Sequence, residues 1–232
     1  MAEPPAHSAT VDYLPTAFDG LLAEGSVVAE VRAPRFCRSG LLPEEETLIE
    51  GAVEKRRREF AAGRNCARLA LGKLGAPPTA IAIGTHREPL FPEGVSGSIT
   101  HTGDYCAAAV IWTGVVLTIG IDAELNRPLD RSVSDLILSP NERWMVDAHD
   151  NGCSFDALIF SIKESFFKAF FPLCRQYLDF TDAVVALSPT DRSFRVSLVR
   201  ADMLALLGRA KIFGRYHFDS QHVYTAVSLL SS

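Results

Sequence analysis

Apolar and polar residues alternate along this chain with two different periods, and the periods predict where strands and helices lie. Residues 25–32 show the period of two that is typical of a strand, with β-branched residues among them. After Pro43 the pattern becomes helical, and it continues through residues 52–74 until Gly75 ends it. Further strands are predicted at residues 79–83, 97–101, 105–112 and 115–121, with a turn-rich loop at 84–94.

The second half of the chain repeats this mixture of helices and strands. The pattern is helical from residue 132 onward, and Ser139-Pro140-Asn141-Glu142 is a favourable helix start. A phenylalanine-rich helix is predicted at residues 155–171, ended by Pro172. Because helices and strands occur on both sides of a midpoint near Gly114, we predict an α+β, or mixed α/β, fold in two lobes. The remaining predictions are strands at 183–187, 194–199 and 223–229 and a short helix at 202–207.

Composition and charge exclude several classes of protein. The chain is 47% hydrophobic and 22% charged, which is typical of a globular protein, and its formal net charge of −5 argues against a general affinity for nucleic acid. No apolar run approaches the ~20 residues of a membrane span, and the N-terminus lacks the basic and apolar regions of a secretory signal. Five dispersed cysteines without a CxxC pair indicate reduced packing residues, so we expect a cytoplasmic protein without a structural zinc site.

Two carboxylates end a predicted strand in the segment Gly120-Ile121-Asp122-Ala123-Glu124. Because side chains of a strand alternate between its two faces, Asp122 and Glu124 point to the same side. Hard oxygen donors of this kind suit Mg²⁺, which fills its remaining positions with phosphate and water. By itself, however, the motif is more often a solvated acidic pair than a metal site.

The predicted helix at 155–171 carries a second polar group. Ser161, Glu164 and Lys168 share one face, and the apolar stripe that includes Phe166 lies on another. A surface ion pair between Glu164 and Lys168 is one interpretation. Because this helix is expected to be buried, its carboxylate and lysines need partners, which a metal and a phosphate would supply.

Two further segments offer groups that bind anions. Arg56, Phe60 and Arg64 follow the spacing i, i+4, i+8, so the two arginines lie in one row of their helix. Such a row is typical either of a solvated helix face or of a site whose guanidinium groups bind phosphate. The segment Gly97-Ser98-Ile99-Thr100-His101 adds hydroxyl and imidazole donors where a strand meets a turn.

Taken in order, three of these segments resemble the 4′-phosphopantetheinyl transferase superfamily. That family has a Gly-Ser-(Ile/Leu)-(Ser/Thr)-His segment, then Gly-Ile-Asp-x-Glu, then a helix with (Trp/Phe)-x-x-Lys-Glu-(Ala/Ser)-x-x-Lys. Here they are residues 97–101, 120–124 and 160–168, and the arginine helix and the 84–94 loop match as well. The resemblance covers about residues 50–175. The Phe-Ser-x-Lys-Glu-Ser form of the third segment and the chain length resemble the monomeric bacterial branch, which activates enterobactin, polyketide and nonribosomal peptide synthases. Thr102 and Phe160 stand where the family often has Cys and Trp.

The resemblance implies a fold and a reaction. The fold would be two similar α/β subdomains with pseudo-twofold symmetry, here residues 1–114 and 115–232, with coenzyme A and Mg²⁺, or Mn²⁺ in its place, bound between them. The reaction would move the phosphopantetheine arm of coenzyme A onto a serine of an apo acyl or peptidyl carrier protein and release 3′,5′-ADP. Neither nucleic acid nor membrane is an expected partner, and we expect a monomer.

The resemblance also implies roles for individual residues. Asp122, Glu124 and Glu164 match the metal ligands, and Glu164 is in addition the expected base for the serine hydroxyl. The catalytic set would be Glu164, Lys168 and Asp122, with Lys168 on the phosphates. The expected contacts of coenzyme A are Arg56, Arg64, His86, Arg87, Glu88, Pro89, Ser98, Thr100, His101, Asp122, Lys163, Glu164 and Lys168.

The family's carrier proteins are acidic, so the resemblance implies a docking surface for one. We expect it at residues 133–148, where Leu136, Ile137, Leu138 and Met145 lie near Arg131 and Arg143, although the same stripe is typical of a helix that packs between lobes. Two other functions stay open. One is a metal-dependent phosphohydrolase or nuclease with the same three acids, and the other is a non-catalytic module that binds coenzyme A.

Overall fold

The computed structural model of the chain describes residues 15–32, 40–77, 79–148 and 152–232. Within them, helices pack against antiparallel sheets, which confirms the predicted mixed α/β fold. The first half contains β1 (Val27–Arg32), α1 (Pro43–Glu46), α2 (Glu54–Leu74), β2 (Ala82–Ile83), β3 (Pro89–Leu90), β4 (Val95–Thr102) and β5 (Tyr105–Trp112). The second half contains β6 (Val116–Leu125), α3 (Arg131–Ile137), α4 (Pro140–Ala148), α5 (Phe155–Cys174), β7 (Ala183–Ser188), β8 (Ser193–Leu198), α6 (Ala201–Leu207), β9 (Lys211–Phe218) and β10 (His222–Leu230).

The first sheet has the strand order β1-β5-β4, and helix α2 packs across it. Strand β5 is buried along residues 105–111 and consists mainly of small side chains, so α2 can approach it closely. At Gly63 of α2, a β-carbon would lie 2.9 Å from a side-chain carbon of Ile99. This close packing fixes the row of α2 that carries Arg56 and Arg64 at the edge of β4.

The second sheet has the order β6-β10-β9-β8-β7, with α5 against β6 and β10. A β-carbon at Gly120 would lie 2.0 Å from the backbone oxygen of Ser165, so α5 rests directly on the backbone of β6. Since only glycine permits this approach, it brings Glu164 and Lys168 to the acidic strand. Among the described residues, we found no helix with the length and apolar character that crossing a bilayer requires.

The two sheets meet where β4 and β6 run side by side in the same direction. They are edge strands of different sheets, and hydroxyl side chains of β4 take the place of backbone acceptors for β6. We call this row of contacts the hydroxyl ladder. It joins Ser96 to the amide of Ile119, Ser98 to that of Ile121 and Thr100 to that of Ala123, each at 3.0 Å.

Several element boundaries differ from the prediction. The helix after Pro43 is interrupted near Gly51, which has a left-handed φ of 80°, before α2 begins. Helix α5 continues past Pro172 to Cys174, so the proline lies in the last turn and removes a single backbone hydrogen bond near the end of the helix. Strand β6 extends to Leu125 because β10 pairs with its whole length, so Asp122 and Glu124 lie within a strand and not after it. Strand β9 was not predicted.

Candidate functional site

A cavity of about 280 Å³ opens between α2, the 84–94 loop, β4 and α5. Its lining contains cationic side chains, imidazoles and aromatic rings, together with a smaller number of carboxylates. Such a mixture suits a ligand that has both phosphate groups and apolar parts. The lining consists of Arg56, Arg64, Arg87, Lys168, His86 and His101; of Glu59, Glu88 and Glu164; of Phe60, Phe167, Phe171 and Tyr177; and of Gly63, Pro89, Gly97, Ser98, Ile99 and Pro172.

Asp122 lies at the back of this cavity and is bound on one oxygen only. Its Oδ1 accepts hydrogen bonds from Lys168 Nζ at 2.6 Å and from the hydroxyl of Thr100 at 3.1 Å. Its Oδ2 is buried and has no hydrogen-bond partner. A buried oxygen left in this state costs about 1–3 kcal/mol, so it is a position where a cation or a donor from a ligand fits.

Glu124 and Glu164 bring further negative charge to Asp122. Burial, together with the charge of Asp122, raises the pKa of Glu124 to about 7, although Thr102 donates a hydrogen bond to its Oε2 at 3.2 Å. Burial raises the pKa of Glu164 as well, with Asp122 adding to the shift and Lys168 opposing it. These carboxylates repel one another, and a cation would relieve that repulsion.

The acids fit Mg²⁺ in chemistry, but they do not form a finished cage. Among the side chains that the structure describes, no group of three or more His, Cys, Asp and Glu residues closes around a metal position. Lys168 occupies Oδ1 of Asp122 instead. Burial alone would lower the pKa of Lys168, but the charge of Asp122 and the hydrogen bond to it raise that pKa overall. The metal set therefore stays a prediction.

Two arginines of α2, Arg56 and Arg64, are held beside the cavity, and Arg56 also lies 3.9 Å from Glu59 of the same helix. Arg64 is buried, donates from Nε to the backbone oxygen of Ile81 at 3.0 Å, and lies 4.2 Å from the ring centre of Phe60. Burial lowers its pKa to about 10, so it stays charged at neutral pH. Arg56 Nη1 lies 3.2 Å from His101 Nε2, and because arginine only donates, that nitrogen is the acceptor. Two guanidinium groups thus face the cavity side of α2.

The 84–94 loop is held in place by Glu88. Its carboxylate accepts a hydrogen bond from the backbone of His86 at 3.0 Å and pairs with Arg175 at 2.6 Å. A β-carbon at Gly84 would lie 2.2 Å from this carboxyl group, so a larger residue there would displace the Glu88 side chain. Arg87 has a left-handed φ of 69°, which is uncommon for a residue with a side chain. The loop therefore forms a fixed wall of the cavity, attached to the end of α5.

Most of the residues predicted to contact coenzyme A meet at this cavity. Ten of them line it: Arg56, Arg64, His86, Arg87, Glu88, Pro89, Ser98, His101, Glu164 and Lys168. Asp122 lies behind the lining and is connected to it through Lys168. Thr100 is buried, and its hydroxyl is engaged with Asp122 and the amide of Ala123, so it does not reach the cavity.

The structure corrects the expectation for Lys163. It lies on another face of α5 from Glu164 and is buried. Its Nζ donates to the backbone oxygens of Ile137 and Phe180 at 2.8 and 2.9 Å and to Glu142 Oε2 at 2.9 Å. Since an ammonium group has three hydrogens, none remains for a phosphate. Lys163 joins α5 to the α3–α4 segment instead.

Sequence reasoning missed the aromatic wall of the cavity. Phe167 and Phe171 lie three and seven residues after Glu164, so helical spacing alone could have placed them on its face. Tyr177 stacks on Phe167 with ring centres 5.7 Å apart, and His86 meets Phe171 edge-on at 5.2 Å. Tyr177 follows the helix and carried no periodic signal.

Both halves of the chain are similar in sequence to known proteins. A family model described as "4′-phosphopantetheinyl transferase N-terminal domain" matches residues 44–111, and one described as "4′-phosphopantetheinyl transferase superfamily" matches residues 118–224. The chain is 44% identical over 151 residues to 4′-phosphopantetheinyl transferase Npt of Nocardia iowensis, covering 65% of this chain and 68% of the relative. It is 38% identical over 194 residues to PptT of Mycobacterium tuberculosis, covering 81% and 86%. Among solved structures, Thermotoga maritima holo-[acyl-carrier-protein] synthase has a TM-score of 0.41 at 19% identity, covering 50% of this chain and 65% of that one.

Proposed function

The chain belongs to the 4′-phosphopantetheinyl transferase superfamily, and we propose that it moves the phosphopantetheine arm of coenzyme A onto a serine of an apo carrier protein. The observation that carries this proposal is one cavity in which Arg56, Arg64 and Lys168 face Glu164, with Asp122 directly behind Lys168. Cations suit the phosphates of coenzyme A, and a carboxylate beside them suits the incoming hydroxyl.

In the proposed mechanism the serine oxygen forms a bond to the phosphorus that carries pantetheine, and the bond from that phosphorus to 3′,5′-ADP breaks. Glu164 accepts the proton of the serine hydroxyl. Lys168, Arg56, Arg64 and His101 hold the phosphates and orient them, and positioning of this kind accounts for much of phosphoryl-transfer catalysis. Residues 86–89 of the 84–94 loop would line the adenine.

We further propose that Asp122, Glu124 and Glu164 hold Mg²⁺, or Mn²⁺ in its place. The unpartnered Oδ2 of Asp122 and the mutual repulsion of the acids support this assignment. The metal would supply positive charge to the pyrophosphate. Removing divalent cations with a chelator should therefore stop transfer, and adding Mg²⁺ should restore it.

The central experiment incubates the protein with coenzyme A, Mg²⁺ and an apo carrier, and measures the mass of the carrier. A gain of one phosphopantetheine is expected, and Glu164→Gln should abolish it while the exposed Glu93→Gln leaves it unchanged. Release of 3′,5′-ADP without a modified carrier would favour a phosphohydrolase. Binding of coenzyme A with neither product would favour a non-catalytic module.

The carrier-docking surface at residues 133–148 also stays a proposal, with a corrected set of residues. Ile137 and Leu138 are buried and cannot contact a partner, and the partly buried Met145 packs against the core. Leu136 and Trp144 are exposed by 73% and 70%. Leu136, Arg131 and Arg143 remain of the predicted set, and Trp144 is added to it. Arg143→Glu should raise the KM for the carrier, whereas Arg195→Glu at an exposed position of β8 should not.

Several broader expectations are proposals of the same kind. We propose two subdomains divided near residue 114, since one sheet ends at Trp112 and the other begins at Val116. We also propose a cytoplasmic monomer. The described cysteines Cys66, Cys106, Cys153 and Cys174 are free thiols, which agrees with a reducing compartment, and Cys37 lies outside the described residues. Size-exclusion chromatography with light scattering tests the monomer.

A further inference from the structure

The hydroxyl of Thr100 has its hydrogen-bond directions fixed by its neighbours. It lies 3.0 Å from the amide nitrogen of Ala123, and since an amide can only donate there, the hydroxyl oxygen accepts. Its single hydrogen is then left for Asp122 Oδ1 at 3.1 Å. Thr100 is buried, so solvent does not compete for this hydrogen. The direction of the bond follows from chemistry and not from an arbitrary choice of rotamer.

The two oxygens of the Asp122 carboxylate therefore have different surroundings. Oδ1 receives hydrogen bonds from both Thr100 and Lys168, whereas Oδ2 is buried and receives none. Two donors on one oxygen fix the rotation of the carboxyl group about its own axis. The oxygen that remains is then presented in one defined direction.

We propose that Thr100 is a positioning residue: its hydroxyl orients Asp122 so that Oδ2 is the oxygen offered to a divalent cation. Thr100 does not line the cavity, so it would act through Asp122 and not on the substrate. This inference rests on the proposed function for the identity of the cation site. It replaces the expectation that Thr100 contacts coenzyme A.

Two other hydroxyls of β4 show that a contact between the sheets and a contact with a carboxylate can be tested separately. Thr102 donates to Glu124 Oε2 at 3.2 Å, so each acid of β6 meets a hydroxyl of the same strand. At the other end of the hydroxyl ladder, Ser96 accepts from the amide of Ile119 at 3.0 Å and contacts Thr118 at 3.2 Å, far along the strand from the acids. Ser96 therefore supplies a control that loses a similar sheet-to-sheet contact without touching a carboxylate.

The test compares Thr100→Val, Thr100→Ser and Ser96→Ala. The first readout is binding of Mn²⁺, titrated with and without coenzyme A and followed by electron paramagnetic resonance of the free ion. The second is transfer to an apo carrier as a function of Mg²⁺. Removing a group that orients a metal ligand typically costs about 10–100-fold in metal affinity or activity. Thr100→Val should therefore weaken Mn²⁺ binding and lower kcat by about 10–100-fold. The KM for the carrier should change little. Thr100→Ser and Ser96→Ala should bind Mn²⁺ like the wild type.

Three outcomes would overturn the proposal: no Mn²⁺ binding by the wild type, unchanged Mn²⁺ affinity in Thr100→Val, or a loss in Thr100→Ser as large as in Thr100→Val. If Thr100→Val does not fold, Thr100→Ala takes its place with the same expectations. A wild type that binds Mn²⁺ but does not modify any carrier would count against the proposed function alone, because the weakening of Mn²⁺ binding in Thr100→Val would still support the inference.

Discussion

Replacing Lys163 by Met is the sharpest test of how α5 is built. The side chain is buried together with Glu142, and its ammonium group joins the end of α3, the start of α4 and the backbone near Phe180. Methionine is of similar length and keeps the apolar contacts of the stem, but it cannot donate. The change therefore removes one charge and three hydrogen bonds and leaves the volume nearly unchanged.

The expected cost follows from what is left behind. Glu142 would still accept hydrogen bonds from the backbone amides of Ser139 and Val185, each at 2.7 Å. Its negative charge, however, would be buried without a counter-ion. Breaking a buried pair in this way costs about 3–5 kcal/mol, against a total stability of about 5–15 kcal/mol. Adding Glu142→Gln removes the unpaired charge and should recover about 0.5–3 kcal/mol. Replacing Glu142 alone should also destabilise the protein, because it isolates the ammonium group.

Urea unfolding, followed by circular dichroism, gives the free energy of unfolding of each variant. The second measurement is the KM for coenzyme A of each folded variant. Lys163 does not line the cavity, so Lys163→Met should leave the KM for coenzyme A near its wild-type value. Lys168→Met, on the same helix but in the cavity, should impair transfer. A stable Lys163→Met protein with a greatly raised KM for coenzyme A would refute the reasoning, since it would return Lys163 to the binding site.

Three further results are expected. Gly120→Ala should cost about 1–3 kcal/mol or more in urea unfolding because its β-carbon meets the backbone of α5, whereas Gly72→Ala, in open space on α2, should be neutral or stabilising. Burial lowers the pKa of His222, so the unfolded chain binds that proton more readily and stability should fall as the pH drops below about 6.5; His222→Phe should show a smaller fall. Arg56→Gln should weaken coenzyme A binding in calorimetry about tenfold, whereas Arg58→Gln, which lies outside the cavity lining, should not.

The parts of the site that sequence could predict are those set by local periodicity. The period of two placed Asp122 and Glu124 on one face of β6, and helical spacing placed Glu164 and Lys168 on one face of α5. Lys163 differs because its environment depends on Glu142, which is 21 residues away on another helix. Nothing in the local pattern distinguishes a lysine that faces a phosphate from one that faces a buried carboxylate.

The fold shows the same division between local and distant causes. Strand β5 and the C-terminal end of helix α2 were predicted correctly because each has a continuous pattern and a stop signal, whereas the break that precedes α2 was missed. The extent of β6 depended on β10, which begins nearly a hundred residues later, and the role of Thr100 depended on the other sheet. Alternating hydroxyls along β4 are visible in the sequence, but their partners are not.

The hydroxyl ladder also has a consequence for how the protein avoids self-association. A sheet edge with open amide groups can pair with a strand of another molecule, which is a common route to aggregation. At the outer edge of β6, the amides of Ile119, Ile121 and Ala123 are already occupied by side chains of β4. The two edges therefore block each other without merging into one continuous sheet, and neither can serve at this seam as a template for a neighbouring chain.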